Sequence, residues 1–549
     1  MNVAELVGRT LVDAGIDHVF GVVGSGNFEV TDAMTRAGAT YVAARHESGG
    51  ATMADAYARM SGSVAALTVH QGCGLTNAMT GITEAAKSRT PMVVLAAEAT
   101  APLSNFYVDQ PALARSVGAV PLRVDDAATA EWTARQAVQL ARNDRRVVLL
   151  NLPLEVQTAE APQPEAAGAA ASPLWGAGAG SRMLDLHDLR RLTDALQQAR
   201  RPVFVAGRGS RGAGCRQALE ALADRCGALL ATSAVAKGLF NGSPWSLDVS
   251  GGFASPLAAE LISGADLIVG WGCALNMWTM RHGRLIADDA TVAQVDLDAD
   301  ALGAHRGITF GVLGDVRATA QAALRALAAD PLPGYRTPQI RQDIAARVSW
   351  CDVPYADAGG AGRIDPRALC LALDRMLPDE RIIGVDSGNF MGYPSMYLRV
   401  PDEFGFCFTQ AFQSIGLGLA TTIGAALARP DRLPIAALGD GGALMSAAEL
   451  ETVARLRLPM VVVIFNDQAY GAEVHHFRSS GRALDSVTFP DTDFTAIAKG
   501  YGFDALTVRC VEDLSSVGAW LADRSKPLLI DAKVVADEPS WWLAEAFGH

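Results

Sequence analysis

The sequence predicts an α/β protein built from three doubly wound parallel-sheet domains. Short apolar runs bounded by Gly, Pro or polar residues alternate with helix-period segments, the pattern of strands covered by helices on both faces. At 549 residues the chain is too long for one core. Its 54 glycines gather after apolar runs, where strand-to-helix turns need a permissive backbone.

The first block, residues 1–160, offers HVFGVV (18–23), ALTVH (66–70), MVVLAAE (92–98) and VVLLNL (147–152) as strands. The stretch 158–180, rich in Ala, Pro and Gly, reads as a linker. The middle block, residues 181–335, carries PVFVAG (202–207), ADLIVGWG (265–272) and ATVAQVDLD (290–298), and closes near PLPGYRTP (331–338). The third, residues 360–540, carries RIIGVDSGN (381–389), LPIAALGDGG (433–442), LPMVVVIFND (458–467) and KPLLIDAKV (526–534). Two of its strands run straight into polar, glycine-rich turns, and open parallel sheets bind ligands at those carboxyl ends. Blocks one and three have similar size and element order, without an alignable repeat.

Composition narrows the function classes. With 50% hydrophobic and 19% charged residues the chain is folded and globular. A net charge of −13 and no basic stripe argue against a nucleic-acid partner. No apolar run reaches membrane length; the nearest, residues 415–428, is short and rich in Gly and Thr. MNVAELVGRT lacks the basic lead of a targeting segment. The eight cysteines form no C-x-x-C pair, which disfavours a disulfide framework or a zinc site. The expectation is a reduced, cytoplasmic enzyme.

GRGSRG (207–212) matches G-x-G-x-x-G after a strand. A dinucleotide fold should also offer an acid at the end of the next strand, and GALLATSA (227–234) has none. A nicotinamide oxidoreductase is therefore disfavoured, and a structural glycine turn preferred. Residues 433–471 are more telling: strand, glycine-rich acidic turn, helix, strand, polar turn. The 24 residues between Gly441 and Asn466 are one helix and one strand. Asp440 and Asn466 therefore stand at the same ends of adjacent parallel strands, beside a helix start. Two hard oxygen side chains there suit Mg²⁺ or Ca²⁺ bridging a diphosphate, with helix N–H groups as further donors. The alternative, a glycine turn with Asp as helix cap, explains GDG alone but not the spacer and the terminal Asn.

GDG followed by Asn466 resembles the thiamin-diphosphate signature of the acetolactate synthase, pyruvate decarboxylase, benzoylformate decarboxylase and benzaldehyde lyase superfamily. The likeness extends over nearly the whole chain. RHESGGATMADAYAR (45–59) resembles the family's glutamate segment, GCGLTNAMTGITEA (72–85) its G-x-G-x-T-N turn, and DQPALARSVGA (109–119) the sequence near the end of its first domain. The resemblance implies a pyrimidine-binding first domain, a middle domain that in some members holds FAD or ADP, and a diphosphate-binding third domain. FAD is not indicated by these residues. Asp440, Asn466 and the Gln468 carbonyl would ligate Mg²⁺. Gly439, Gly441, Gly442, Ala443, Gly388 and Asn389 would line the diphosphate, with Ser387 beside them, and Asn77 would also meet the cofactor. Ile415 matches the bulky residue wedged under the cofactor; without the family it reads as ordinary core.

The implied chemistry is attack of the cofactor on a 2-oxo acid, loss of carbon dioxide, and an enamine that is protonated to an aldehyde or ligated to a second carbonyl. Acyloin cleavage or formation, as in benzaldehyde lyase, is the alternative. Glu47 would exchange a proton with the pyrimidine, and burial would raise its pKa; taken alone it is a helix-start acid among small residues. His70 matches a catalytic acid/base of benzoylformate decarboxylase, against a structural histidine. Ser25, in VVGSGNF (22–28), matches a turn that holds the substrate carboxylate, against a simple turn. Acetolactate synthases and benzaldehyde lyase place a Gln three or four residues before the Asp matching Asp109. Phe106 and Asn105 stand there instead, which suggests a more apolar acceptor pocket. Gln71 and Gln110 are assigned to the same pocket. His475 and His476, on a predicted helix past the metal turn, either reach the substrate or lie on the surface. The resemblance also implies a homodimer or homotetramer that pairs Glu47 of one subunit with Asp440 of another.

Overall fold

The computed structural model describes residues 1–162, 184–538 and 540–546. The expected linker therefore lies mostly outside the described residues. Three six-stranded sheets, each wholly parallel, form a three-domain α/β fold. The first sheet comprises β1 His18–Gly21, β2 Thr40–Ala43, β3 Ala65–Val69, β4 Met92–Glu98, β5 Val120–Arg123 and β6 Val147–Pro153, in the order β2-β1-β3-β4-β6-β5. The second comprises β7 Pro202–Ala206, β8 Leu229–Thr232, β9 Ser246–Val249, β10 Leu267–Trp271, β11 Thr291–Asp296 and β12 Phe310–Leu313, in the order β12-β11-β10-β7-β8-β9. The third comprises β13 Arg381–Val385, β14 Phe406–Phe408, β15 Leu433–Gly439, β16 Val461–Asn466, β17 Asp504–Val508 and β18 Leu528–Lys533, in the order β14-β13-β15-β16-β18-β17. The first and third sheets thus share one strand order despite having no alignable sequence.

Interior strands are sealed on both faces. Every residue of β3, β7, β10, β13, β16 and β18 is buried. The edge strands are shorter or half-exposed, as β5 (VPLR) and β17 (DALTV) show. No helix among the described residues is long and apolar enough to cross a membrane.

The small residues after Glu47 have a packing role. Helix Glu47–Ser61 is buried almost throughout from Gly50 to Met60 and stops at Gly62, whose φ of 77° suits a left-handed cap. It lies between helix Cys73–Lys87 of its own domain and helix Gly418–Ala428 of the third. A Cβ on Gly81 would stand 2.6 Å from Ala51 Cβ, and one on Gly424 would stand 2.2 Å from the Met53 carbonyl oxygen. Bulk at these positions would separate the first and third domains.

A buried ionic cluster closes the three-domain junction. Arg59 pairs with Asp55 and with Glu84 (2.8 Å), and donates to the Phe408 carbonyl at 2.9 Å. Glu84 accepts the N–H groups of Ala411 (3.1 Å) and Phe412 (2.6 Å). From the middle domain, Arg208 reaches the Ser88 carbonyl and Arg211 the Arg59 carbonyl. Both cations thereby sit at helix C-termini, where the dipole favours them. The GRGSRG turn is thus committed to the domain junction. Its glycines are packed too: a Cβ on Gly207 or Gly209 would lie 2.4 or 2.8 Å from atoms of Gly272.

Replacing Arg59 with Met would leave Asp55 and Glu84 buried without their cation. We expect a loss of about 3–5 kcal/mol in stability, read as a lower urea midpoint. An unchanged midpoint would contradict the role given to the cluster.

Candidate active site

The third-domain half of the site is built at the carboxyl ends of β15 and β16. Gly439 pairs with Phe465, so Asp440 and Asn466 stand at the same sheet end, as their spacing implies. Asn466 is buried, and its Nδ2 donates to Asp531 Oδ1 at 2.9 Å. That bond fixes the amide, and Asn466 Oδ1 is left buried without a hydrogen-bond partner. Asp440 is buried and Asp467 half-buried, with their carboxylates side by side. Burial raises the pKa of each, and the Asp440 charge raises Asp467 further. Two such carboxylates must share a proton or a cation. The orphaned amide oxygen favours a cation: it accepts but cannot donate, and hard divalent ions take carboxylate, amide and main-chain oxygens. The donor set therefore fits Mg²⁺. Among the described residues no three His, Cys, Asp or Glu side chains cluster to hold a metal alone, so main-chain or phosphate oxygens must complete the shell. The Gln468 carbonyl already accepts the Phe489 N–H at 2.8 Å, which leaves one lone pair for that purpose. Gln468 takes a left-handed φ of 64°, and its side chain is held by Arg363 at 2.8 Å.

The turn between Gly439 and Ala443 requires small residues. A Cβ on Gly441 would stand 2.5 Å from the Tyr470 ring, and one on Gly442 would stand 2.1 Å from Asp386 Oδ2. Gly388, at φ 144°, leads into Asn389, whose Oδ1 accepts the Ser540 hydroxyl. Asp386 escaped the sequence reading. It is fully buried and accepts the N–H groups of Ser387 (2.9 Å), Gly416 (3.0 Å) and Leu417 (3.2 Å). With Glu84 holding Ala411 and Phe412, it fixes the loop that presents the half-buried Ile415.

The first-domain half gathers around the end of β3. Glu47 opens its helix and accepts the Asn77 amide N–H at 3.0 Å. The carboxylate is half-buried, not sealed as expected, because it stands on the first helical turn at the domain surface. A Cβ on Gly74 would lie 3.1 Å from His70 Cβ and 3.6 Å from Glu47 Oε1, so this glycine keeps the space between the two groups narrow. The Gly26 N–H donates to His70 Nδ1 at 3.3 Å, which places the neutral ring's proton on Nε2. Burial lowers the His70 pKa while the Glu47 charge opposes it, so the ring is neutral at pH 7. Phe106 meets that ring edge-on at 5.3 Å.

Ser25 is exposed on a turn fastened by Asn27, which accepts the Gly24 N–H at 2.8 Å and donates to Thr68 at 2.9 Å. The sequence reading missed Asn27, which looks like any turn asparagine. Gln71 is buried against Gly26 with its Oε1 unpartnered. The Gln110 side chain is consumed within the domain: Oε1 takes the Gly72 N–H at 3.2 Å and Nε2 donates to Asn151 at 2.8 Å. It supports the Gly72 turn and does not present its amide to a pocket. On helix Gly471–Phe477, His475 is half-buried with Nε2 unpartnered, and burial lowers its pKa; His476 is exposed.

These residues form two groups at the carboxyl ends of two like sheets, one suited to a cation and a diphosphate, the other to proton exchange. That is the class of a cofactor-dependent α/β enzyme. Residues 1–116, 189–323 and 386–532 match the family models described as the N-terminal TPP binding, central and C-terminal TPP binding domains of thiamine pyrophosphate enzymes. The chain belongs to the thiamine pyrophosphate enzymes. It is 29% identical to a sulfoacetaldehyde acetyltransferase of Rhodobacter capsulatus, over 97% of this chain and 94% of that one. It is 28% identical to a probable 2-ketoarginine decarboxylase of Pseudomonas aeruginosa, over 94% and 90%. It is 25% identical to an acetolactate synthase large subunit of Escherichia coli, over 93% and 91%. A thiamine diphosphate-dependent 4-hydroxybenzoylformate decarboxylase of Rhodococcus jostii shares the fold, with a TM-score of 0.79 at 23% identity, covering 98% of this chain and all of that one.

Burial raises the Asp386 pKa to about 6 against the N–H groups that favour its ionised form. The folded chain keeps this proton where the unfolded chain has released it. The stability from this group is therefore full below about pH 4 and is lost as the pH rises through about 6, a change of about 3 kcal/mol. In the cofactor-free protein, the urea-derived stability of wild type relative to Asp386→Asn should fall by that amount over this window. Parallel profiles would contradict it.

Proposed function

We propose that the chain is a thiamin-diphosphate- and Mg²⁺-dependent enzyme that decarboxylates a 2-oxo acid, and either couples the product to a second carbonyl or releases it as an aldehyde. The orphaned Asn466 oxygen beside Asp440 and Asp467 is the observation that carries this reading. Asp440, Asn466 and the Gln468 carbonyl would hold Mg²⁺, and Gly439, Gly441, Gly442, Ala443, Gly388 and Asn389 the diphosphate. Ile415 would support the cofactor from below. When bound, the cofactor supplies a carbon nucleophile that adds to the oxo group and stores the electron pair as carbon dioxide leaves.

The chain's own groups do the rest. Glu47 exchanges a proton with the pyrimidine ring, and Asn77, donating at 3.0 Å, orients its carboxylate. His70, neutral with its proton on Nε2, can donate a hydrogen bond from Nε2 to the substrate, and would act as a general acid only after taking up a second proton from solvent. Ser25, Gln71 and Phe106 would line the pocket around it, and His475 and His476 would reach that pocket from the third domain of the neighbouring subunit. The alternatives in the second step follow the relatives, whose names include a decarboxylase, a synthase and an acetyltransferase.

In this reading residues 1–160 form the pyrimidine domain, 181–335 the middle domain and 360–540 the diphosphate domain. A homodimer or homotetramer would bring Glu47 of one subunit to Asp440 of the next. Exposed apolar side chains near both groups, Phe28, Phe106, Leu444 and Met445 among them, support a covered rim there.

Purified protein with thiamin diphosphate and Mg²⁺, given a panel of 2-oxo acids with and without aldehyde acceptors, should release carbon dioxide from at least one. Mass spectrometry then separates aldehyde from ligated product. No carbon dioxide from any acid would sink the reading. Glu47→Gln should slow proton exchange at the cofactor C2 by about 100-fold or more while cofactor binding persists; undiminished exchange would remove its role. Asp531→Ala frees the Asn466 amide to turn, and should weaken Mg²⁺ binding about 10–100-fold by calorimetry; unchanged affinity would dissociate Asn466 from the metal.

A further inference from the structure

The segment that leads into Glu47 is gripped by a helix of the third domain. Helix Glu449–Arg455 follows helix Asp440–Met445, which starts the diphosphate turn, after a short link. Glu449 is 3% exposed. Its Oε1 accepts the main-chain N–H groups of Arg45 (2.9 Å) and His46 (3.1 Å), and its Oε2 accepts the Thr452 hydroxyl at 2.6 Å. Two residues on, Glu451 pairs with the Arg45 guanidinium at 2.6 Å, and Arg455 donates to the Ala43 carbonyl. One helix therefore holds both the end of β2 and the two peptide units that precede Glu47. Gly49 belongs to the same contact, because a Cβ there would stand 2.4 Å from Glu449 Oε1.

We propose that Glu449 is a positioning residue for Glu47, fixing where that carboxylate stands from the helix that follows the diphosphate turn. The inference rests on the proton role given to Glu47 above. The Arg45 and His46 N–H groups lie beyond the last paired residue of β2 and before the first helical residue, so pairing in the sheet does not locate them. Glu449 supplies the missing anchor with a charge-assisted bond to each. Because the anchor comes from another domain, it sets Glu47 relative to the third domain and not only within the first. A shift of about 1 Å in such a group costs about 100-fold in rate. The acceptor oxygen matters more than the charge: a Gln at 449 can still accept both N–H groups through its amide oxygen, in weaker but similarly placed bonds.

Three variants test this. In the cofactor-free protein, Glu449→Ala should speed amide hydrogen exchange in a peptide covering residues 43–47 about 10-fold or more, and Glu449→Gln should leave it close to wild type. With thiamin diphosphate and Mg²⁺ bound, C2 proton exchange should slow about 10–100-fold in Glu449→Ala and recover to within about threefold in Glu449→Gln. Cofactor affinity by tryptophan fluorescence should change less than about threefold in either, since neither removes a diphosphate contact. Gly49→Ala displaces the carboxylate without deleting it and should reproduce both losses, should Glu449→Ala fold poorly. Wild-type C2 exchange in Glu449→Ala or Gly49→Ala overturns the inference, and so does an equal loss in the Ala and Gln variants. Glu47→Gln run alongside separates the two readings. Undiminished exchange there defeats the role of Glu47 itself; slowed exchange there with wild-type exchange in Glu449→Ala defeats only the anchor.

Discussion

Buried carboxylates that accept main-chain N–H groups hold the site together. Glu84 takes Ala411 and Phe412, Asp386 takes Ser387, Gly416 and Leu417, and Glu449 takes Arg45 and His46. Loops at the carboxyl ends of parallel strands leave N–H groups without ladder partners. A buried carboxylate offers several acceptor positions in one place, and its bonds to N–H groups are stronger than neutral ones. The donors in turn offset the cost of burying the charge. In each case the acid reaches across to a separate segment, so the loop is located against the body of the protein. Glu84 and Glu449 do this across the boundary between the first and third domains.

That arrangement locates segments that the sheets themselves do not hold. The Ile415 turn is fixed on one side by the first domain and on the other by β13. The Glu47 helix begins where a third-domain helix places it, and its small residues let helix Gly418–Ala428 approach closely. The middle domain contributes through Arg208 and Arg211, which cap helix ends at the junction. Its glycine turn, which resembles a dinucleotide motif in sequence, is used for domain packing.

Eleven of the twelve interior strands were named from sequence, because burial on both faces demands unbroken apolar runs; the short β8 was not. The six edge strands were not, since strands such as VPLR of β5 have one covered side and carry no clear pattern. Asp440 and Asn466 could be paired from sequence, because the 24 residues after Gly441 suffice for one helical crossover and a strand; the structure splits that crossover into two short helices and returns to the same sheet end. Asp386, Glu84, Glu449, Asp531 and Asn27 could not. Each has main-chain or amide partners, mostly distant in sequence, and an acid that accepts N–H groups looks in sequence like any helix cap or surface charge. Gln110 is assigned to the pocket from sequence, whereas its amide is spent on Gly72 and Asn151. The shared strand order of the first and third sheets was hidden for the opposite reason: sheet order depends on burial and connection, which unrelated side chains satisfy equally well.

The most direct test is a crystal structure of the protein grown with thiamin diphosphate and Mg²⁺. The account predicts one cation bound by Asp440 and the Asn466 amide oxygen, with the diphosphate on the Gly441–Ala443 turn and a Glu47 carboxylate hydrogen-bonded to the pyrimidine. A cation held elsewhere, or a pyrimidine ring that meets no Glu47, would contradict it.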